Sequence, residues 1–237
     1  MNRTFSSDVI VALDFKNLEE TLAFLALFRS HDQLYLKVGM ELYLQNGPQV
    51  LSALKERGHR IFLDLKLHDI PNTVYGASKG LAQYKVDMLN FHAAGGKEML
   101  EAAKQGLLDG GSPETLAIAV TQLTSTSQEQ MQAEQLIPVD LVTSVRHYAQ
   151  LTKEAGLDGV VASVHEAPVI REACGRDFAI VTPGIRLVGG PSQDQKRIAT
   201  PEVARQLGSS HIVVGRPITL ASDPVAVYEA IRQSFLK

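Results

Sequence analysis

Residues equipped for chemistry cluster first in Ile61-Phe62-Leu63-Asp64-Leu65-Lys66-Leu67-His68-Asp69-Ile70-Pro71-Asn72-Thr73. In an extended strand alternate side chains share a face, so Asp64 and Lys66 project together while Leu63, Leu65 and Leu67 project the other way. The leucine line must pack on something, which turns the charged line toward a cavity. A further carboxylate, Asp69, follows, and Pro71 keeps any helix from running back through the motif. Taken alone, the Asp64/Lys66 pair reads equally well as a solvated strand end with a chance ion pair.

Neighbouring strands shift that balance. The run Val9 to Phe15 carries Asp14 near its end, in alternation with Ala12 and Ile10, and Leu34 to Met40 carries Lys37, in alternation with Tyr35 and Gly39. Consecutive strands thus bring Asp14, Lys37, Asp64 and Lys66 to one mouth, where function outweighs decoration. A different chemistry appears later in the chain, in Thr182-Pro183-Gly184-Ile185-Arg186 and in Gly215-Arg216-Pro217. Gly184 and Gly215 let backbone N–H groups approach an anion, and Arg216 can grip a phosphate with two donors. The neighbouring Val188-Gly189-Gly190-Pro191 could close over a ligand as a lid. The combination points to a phosphorylated small molecule with a Lys/Asp cluster over its reactive end.

The elements that must hold these residues alternate regularly. Strand-like runs lie at Val9–Phe15, Leu34–Met40, Arg60–Lys66, Met88–His92, Thr115–Leu123, Gly159–Ser163, Ala179–Ile185 and His211–Ile218, each followed by a helical pattern. Among the helices, Tyr43 to Arg57 reads as one, Pro138 opens another that runs to Ala155, and Thr200-Pro201 supplies an N-cap and first-turn proline. Thr124 to Gln135 is a polar stretch with a short helix, and Leu187 to Ile198 reads as an irregular loop. The strands are nearly continuous in apolar character, as when both faces are covered. Eight βα units predict a (β/α)₈ barrel, one catalytic domain over residues 1–237. In that fold the strand C-termini form the active site, and the loops after the seventh and eighth strands recurrently bind phosphate. A doubly wound open sheet is the rival, but Asp14-Phe15-Lys16-Asn17-Leu18 lacks its glycine-rich fingerprint.

Composition narrows the partners. The 237 residues are 45% apolar and 21% charged with a net charge of −3, so neither nucleic acid nor a membrane surface is indicated. No apolar run approaches a membrane span and Met1 to Asp8 lacks a signal-peptide core. The single Cys174 suits a reducing cytoplasm and reads as a small buried side chain. The seven histidines form no HxxxH pair and there is no CxxC, so no metal set is expected. His92, with Asn90, ends the fourth strand and reads as a structural hydrogen-bonder at the pocket floor.

With Asp64-x-Lys66-x-x-Asp69-Ile70-Pro71-Asn72-Thr73, Thr182-Pro183-Gly184-Ile185-Arg186, Asp194-Gln195-x-Arg197 and Gly215-Arg216-Pro217-Ile218, the chain resembles the orotidine 5′-phosphate decarboxylases over essentially its whole length. The DxKxxD core alone is shared with hexulose-phosphate synthases and sugar-phosphate decarboxylases of the same barrel group. The resemblance implies metal- and cofactor-free decarboxylation of orotidine 5′-phosphate to uridine 5′-phosphate, the last step of pyrimidine nucleotide synthesis. It implies Lys66 as the fixed cation and proton donor, with Asp64 near the departing carboxylate. Lys37 would orient Asp64 and touch the ribose, whose hydroxyls Asp14 would bind. Asp69, with Ile70 and Thr73, would reach into the partner's site of a homodimer. Thr124, or Ser127 nearby, would read the pyrimidine amide. Arg216, the Gly215 backbone and Gln195 would hold the phosphate, with Arg186 in support. Two alternatives remain: a Mg²⁺-dependent sugar-phosphate lyase of the same barrel group, and a non-catalytic nucleotide binder.

Overall fold

Strands too apolar to leave either face wet must be covered on both sides, and here they are. The computed structural model describes residues 7–28, 31, 33–186 and 199–237. Eight parallel strands close into a barrel in chain order: β1 (Asp8–Leu13), β2 (Tyr35–Gly39), β3 (Arg60–Leu67), β4 (Met88–His92), β5 (Leu116–Val120), β6 (Gly159–Val161), β7 (Ala179–Thr182) and β8 (His211–Val214). The helices are α1 (Leu18–Leu25), α2 (Met40–Asn46), α3 (Gln49–Glu56), α4 (Pro71–Leu81), α5 (Gly96–Asp109), α6 (Gln128–Glu134), α7 (Leu141–Glu154), α8 (Ala167–Cys174), α9 (Pro201–Gln206), α10 (Arg216–Thr219) and α11 (Pro224–Leu236). The (β/α)₈ barrel expected from the alternation is the observed fold, and the open sheet is excluded by the β1–β8 pairing.

Alternation along the strands sorts residues between two cores. Ile10, Ala12, Tyr35, Phe62, Met88, Ile118, Val181 and Val213 fill the barrel interior. Val9, Val11, Leu36, Val38, Ile61, Leu63, Leu89 and Phe91 turn outward onto the helices. At the N-terminal end of the barrel, charged side chains brace the strands. Arg60 lies 4.0 Å over the Tyr35 ring and pairs with Asp8 at 3.1 Å. Asp87 accepts from the Ile61 N–H and from Lys55, both at 2.8 Å. Asp158 accepts from the Ala117 N–H at 2.8 Å and pairs with Lys104.

The structure departs from the sequence expectations at element ends. Tyr43 to Arg57 is two helices, α2 and α3. Gly47, at φ 67°, donates to the Tyr43 carbonyl at 2.7 Å and closes α2, and Pro48 follows before α3. The helix expected from Pro138 starts at Leu141, because Asp140 accepts from the Thr143 N–H at 2.7 Å as its N-cap. β8 ends at Val214, and Arg216 to Thr219 coil into α10 rather than extending the strand. The expected loop from Leu187 to Ile198 lies outside the described residues.

The most consequential irregularity is in β3. Leu63 pairs with Leu89 and Leu67 with Phe91, so Asp64, Leu65 and Lys66 lie opposite the single residue Asn90. Lys66 takes up the left-handed conformation at φ 53°, uncommon for a residue with a Cβ. A bulge of this kind bends the strand and re-aims side chains.

Candidate active site

The C-terminal ends of the strands surround a cavity of about 250 Å³. Its floor is the top of the barrel interior, Ala12, Phe62, Val161 and Val213. One wall carries Asp14, Lys37, Asp64 and Lys66, and the facing wall carries Gly184, Arg186, Gly215 and Arg216.

The charged wall is a chain of alternating signs. Lys37 Nζ lies 3.3 Å from Asp14 Oδ1 and 3.4 Å from Asp64 Oδ2, and Lys66 Nζ donates to Asp64 Oδ1 at 2.6 Å. The side chains of Lys37 and Asp64 are each only 13% exposed, whereas Asp14, at 59%, stands at the wet rim. Burial pushes the Asp64 carboxyl up, but the Lys37 and Lys66 ammonium groups and hydrogen bonds from Lys66 and Asn90 outweigh it and hold Asp64 below the usual carboxylate range. Burial likewise pulls Lys37 down, and Asp64 with Asp14 reverses it, holding the lysine above its ordinary value. Both groups therefore keep their charges at neutral pH, in a site too dry to screen them well.

The way Asp64 and Lys66 come together differs from the sequence expectation. Their convergence was expected from strand pleating. The pair does meet, but through the bulge and the left-handed turn at Lys66. Asn90, fully buried on β4, accepts from the Lys66 N–H at 2.7 Å and donates to Asp64 Oδ1 at 2.6 Å. Its place in the sequence beside His92 hinted at a structural role but not at these partners. His92 itself accepts weakly from Ala94 N at 3.4 Å and stacks on His68 with ring centroids 5.3 Å apart. Cys174 is buried, as expected of a small packed side chain.

On the facing wall, Gly184 sits at φ 80°, a conformation that disfavours a side chain. A Cβ at Gly215 would come within 3.3 Å of Asp14 Oδ2 and 3.4 Å of Ala12, so the bare backbone leaves room for these residues at the end of the paired strand β1. Arg186 is buried, its guanidinium donating to the Ile185 carbonyl at 2.8 Å and its N–H to Ala199 at 2.9 Å.

A family model described as the orotidine 5′-phosphate decarboxylase / HUMPS family matches residues 7–231. The chain belongs to this family. It is 58% identical over 227 residues to an orotidine 5′-phosphate decarboxylase of Lysinibacillus sphaericus, covering 94% of this chain and 96% of that protein. Another of the same name, from Fusobacterium nucleatum, is 55% identical over 228 residues, with 96% and 95% covered. Among solved structures, an orotidine 5′-phosphate decarboxylase from Lactobacillus acidophilus superposes with a TM-score of 0.88 at 43% identity, covering 97% of this chain and 99% of that one. An uncharacterised conserved protein from Geobacillus kaustophilus superposes with a TM-score of 0.85 at 48% identity, covering 96% and 99%.

Within this member of the orotidine 5′-phosphate decarboxylase family, the sequence-named residues divide into three groups. Asp14, Lys37, Asp64, Lys66, Thr124, Arg186, Gly215 and Arg216 border one cavity. Ser127, the alternative to Thr124, accepts from the Gln130 N–H at 3.3 Å as the N-cap of α6 and does not line the cavity. Gln122, which the sequence reading did not single out, is buried at the cavity wall and donates to Gln135 and Ser144 at 3.2 and 3.3 Å. Asp69, Ile70 and Thr73 are exposed at the start of α4 and do not line this cavity; Ile70 is 66% exposed. Gln195 and the lid segment fall within residues 187–198, outside the described residues.

Proposed function

We propose that this chain decarboxylates orotidine 5′-phosphate to uridine 5′-phosphate in pyrimidine nucleotide synthesis, with the barrel acting as one catalytic domain. Its family membership and the names of its relatives support the reaction. The observation that carries the chemistry is the alternating Asp14–Lys37–Asp64–Lys66 array lining one cavity together with Arg216.

In the step proposed, the bond between the ring carbon and its carboxylate breaks, CO₂ leaves, and the electron pair stays on the carbon. Delocalisation there is poor, so a fixed cation nearby is the physical remedy. Lys66 is that cation, and its ammonium then gives a proton to the carbon. No cofactor takes part. Asp64 holds Lys66 and disfavours the substrate carboxylate beside it while tolerating the uncharged C–H that replaces it. Lys37, tied to Asp64 and Asp14, orients the first and reaches the ribose, and Asp14 at the rim takes the ribose hydroxyls. Arg216 with the Gly215 backbone holds the phosphate, supported by Arg186 and by Gln195, and Thr124 reads the pyrimidine amide. Phosphate binding far from the ring supplies energy that the reacting end can use.

Asp69, Ile70 and Thr73 are exposed and do not line their own cavity, which fits a homodimer in which each chain completes its partner's site. No helix among the described residues is long and apolar enough to cross a membrane. A charged nucleotide substrate held in the cell's aqueous interior makes the cytoplasm the proposed place of work.

The decisive assay follows the ultraviolet loss of orotidine 5′-phosphate with EDTA present. Sustained turnover supports the metal-free reaction. Turnover that EDTA abolishes favours the Mg²⁺-dependent lyase chemistry of the same barrel group, and tight uridine 5′-phosphate binding without turnover favours a mere binder.

A further inference from the structure

We infer that Asn90 is a positioning residue for the reaction, because its one amide fixes both the backbone from which Lys66 springs and the carboxylate to which Lys66 points. The inference rests on the reading of Lys66 as the proton donor given above.

The bulge creates the need. Three residues of β3 face Asn90 alone, so the Lys66 N–H is out of register with the β4 backbone. The Asn90 side-chain carbonyl accepts that N–H at 2.7 Å and so anchors the left-handed turn at Lys66. The same amide donates through Nδ2 to Asp64 Oδ1 at 2.6 Å, the oxygen that also accepts from Lys66 Nζ at 2.6 Å. With Oδ1 held by Asn90 and Lys66, Oδ2 is left turned to Lys37 at 3.4 Å.

Only a short, neutral, planar group with one acceptor and one donor meets both demands. Aspartate has the acceptor, but when ionised it lacks the donor and sets a second negative charge against Asp64. Leucine has the volume and neither polar group. Asn90 is 0% exposed, and its strand neighbours Leu89 and Phe91 are locked in the outer core, so the amide has little freedom to wander. Asn90 does not line the cavity. It acts on the reaction through Lys66 and Asp64 rather than by touching substrate.

The test compares wild type with Asn90→Leu and Asn90→Asp, reading kcat, KM and the affinity for uridine 5′-phosphate alongside circular dichroism and thermal melting. Misplacing Lys66 against the reacting carbon should lower kcat about 10²-fold in both variants. KM and product affinity should stay within about threefold, since phosphate and ribose contacts are untouched. A folded Asn90→Leu enzyme with wild-type kcat would overturn the assignment. So would parallel losses of kcat and product affinity, which mark a general structural defect. If Asn90→Leu does not fold, the near-isosteric Asn90→Asp decides by the same criteria. A wild-type chain that fails to turn over orotidine 5′-phosphate would sink the reaction itself and this role with it; an active wild type with undiminished variants sinks this role alone.

Discussion

A lysine buried between two carboxylates and a second lysine bonded to one of them have a use only if their charges persist. The directions of the Asp64 and Lys37 shifts favour the charged form of both, each held by its neighbours against the cost of burial. Removing Lys66 should therefore abolish chemistry while sparing structure, since Lys37 still neutralises Asp64. Lys66→Ala is expected to lose at least about 10⁴-fold in kcat with its circular dichroism unchanged. A variant that keeps substantial turnover would remove Lys66 from the proton-donor role. Across the cavity, Arg216→Ala should weaken uridine 5′-phosphate by about 10²-fold, the worth of a charge-assisted contact, and uridine hardly at all. Calorimetry of both ligands checks this, and equal losses would argue against a phosphate role.

Elements hold these side chains with very different margins. The array sits at the mouth of strands whose inner and outer residues are fully packed, so β1 and β2 aim Asp14 and Lys37 rigidly. β3 departs from regular geometry where the proposed catalytic pair Asp64 and Lys66 lies, and β4 repairs the departure through Asn90. Asp69 and Ile70 depend instead on where α4 starts. That helix is seated against α5 by small residues: a Cβ at Gly106 would meet the Tyr75 carbonyl at 2.4 Å, and one at Gly110 would meet the Ala82 Cβ at 2.4 Å. Gly106→Ala would have to push two helix backbones apart, which costs about 1–3 kcal/mol as overpacking. Urea unfolding of Gly106→Ala should show that loss. An undiminished stability would mean the helices do not pack as described.

At the scale of the whole molecule, the two ends of the barrel use the same residue types for opposite purposes. Asp87 and Asp158 at the N-terminal end accept backbone N–H groups and pair with lysines, which pins strands. Asp14 and Asp64 at the other end are directed into an open cavity. The proposed dimer adds a test that a monomer cannot pass. Mixing inactive Lys66→Ala with inactive Asp69→Asn chains, after dissociation and reassembly, creates hybrid dimers with one intact site. Statistical pairing should then restore about a quarter of wild-type activity. No recovery, with hybrid dimers shown to be present, would confine each site to a single chain.

The sequence by itself determined the barrel, because eight β-branched runs with helices between them leave few other ways to cover both strand faces. It also directed Asp14, Lys37, Asp64, Lys66 and Arg216 toward one mouth of the barrel, and the structure has all five line one cavity. Local periodicity failed where pairing between strands decides. The left-handed turn at Lys66 and the two-ended hold of Asn90 exist only once β3 is set against β4, twenty-odd residues away along the chain. The choice of Thr124 over Ser127 at the cavity likewise waited on the fold, which spends the Ser127 hydroxyl on capping α6. A hydrogen bond between distant residues leaves no periodic trace in a sequence, because its partners are chosen by register and not by spacing.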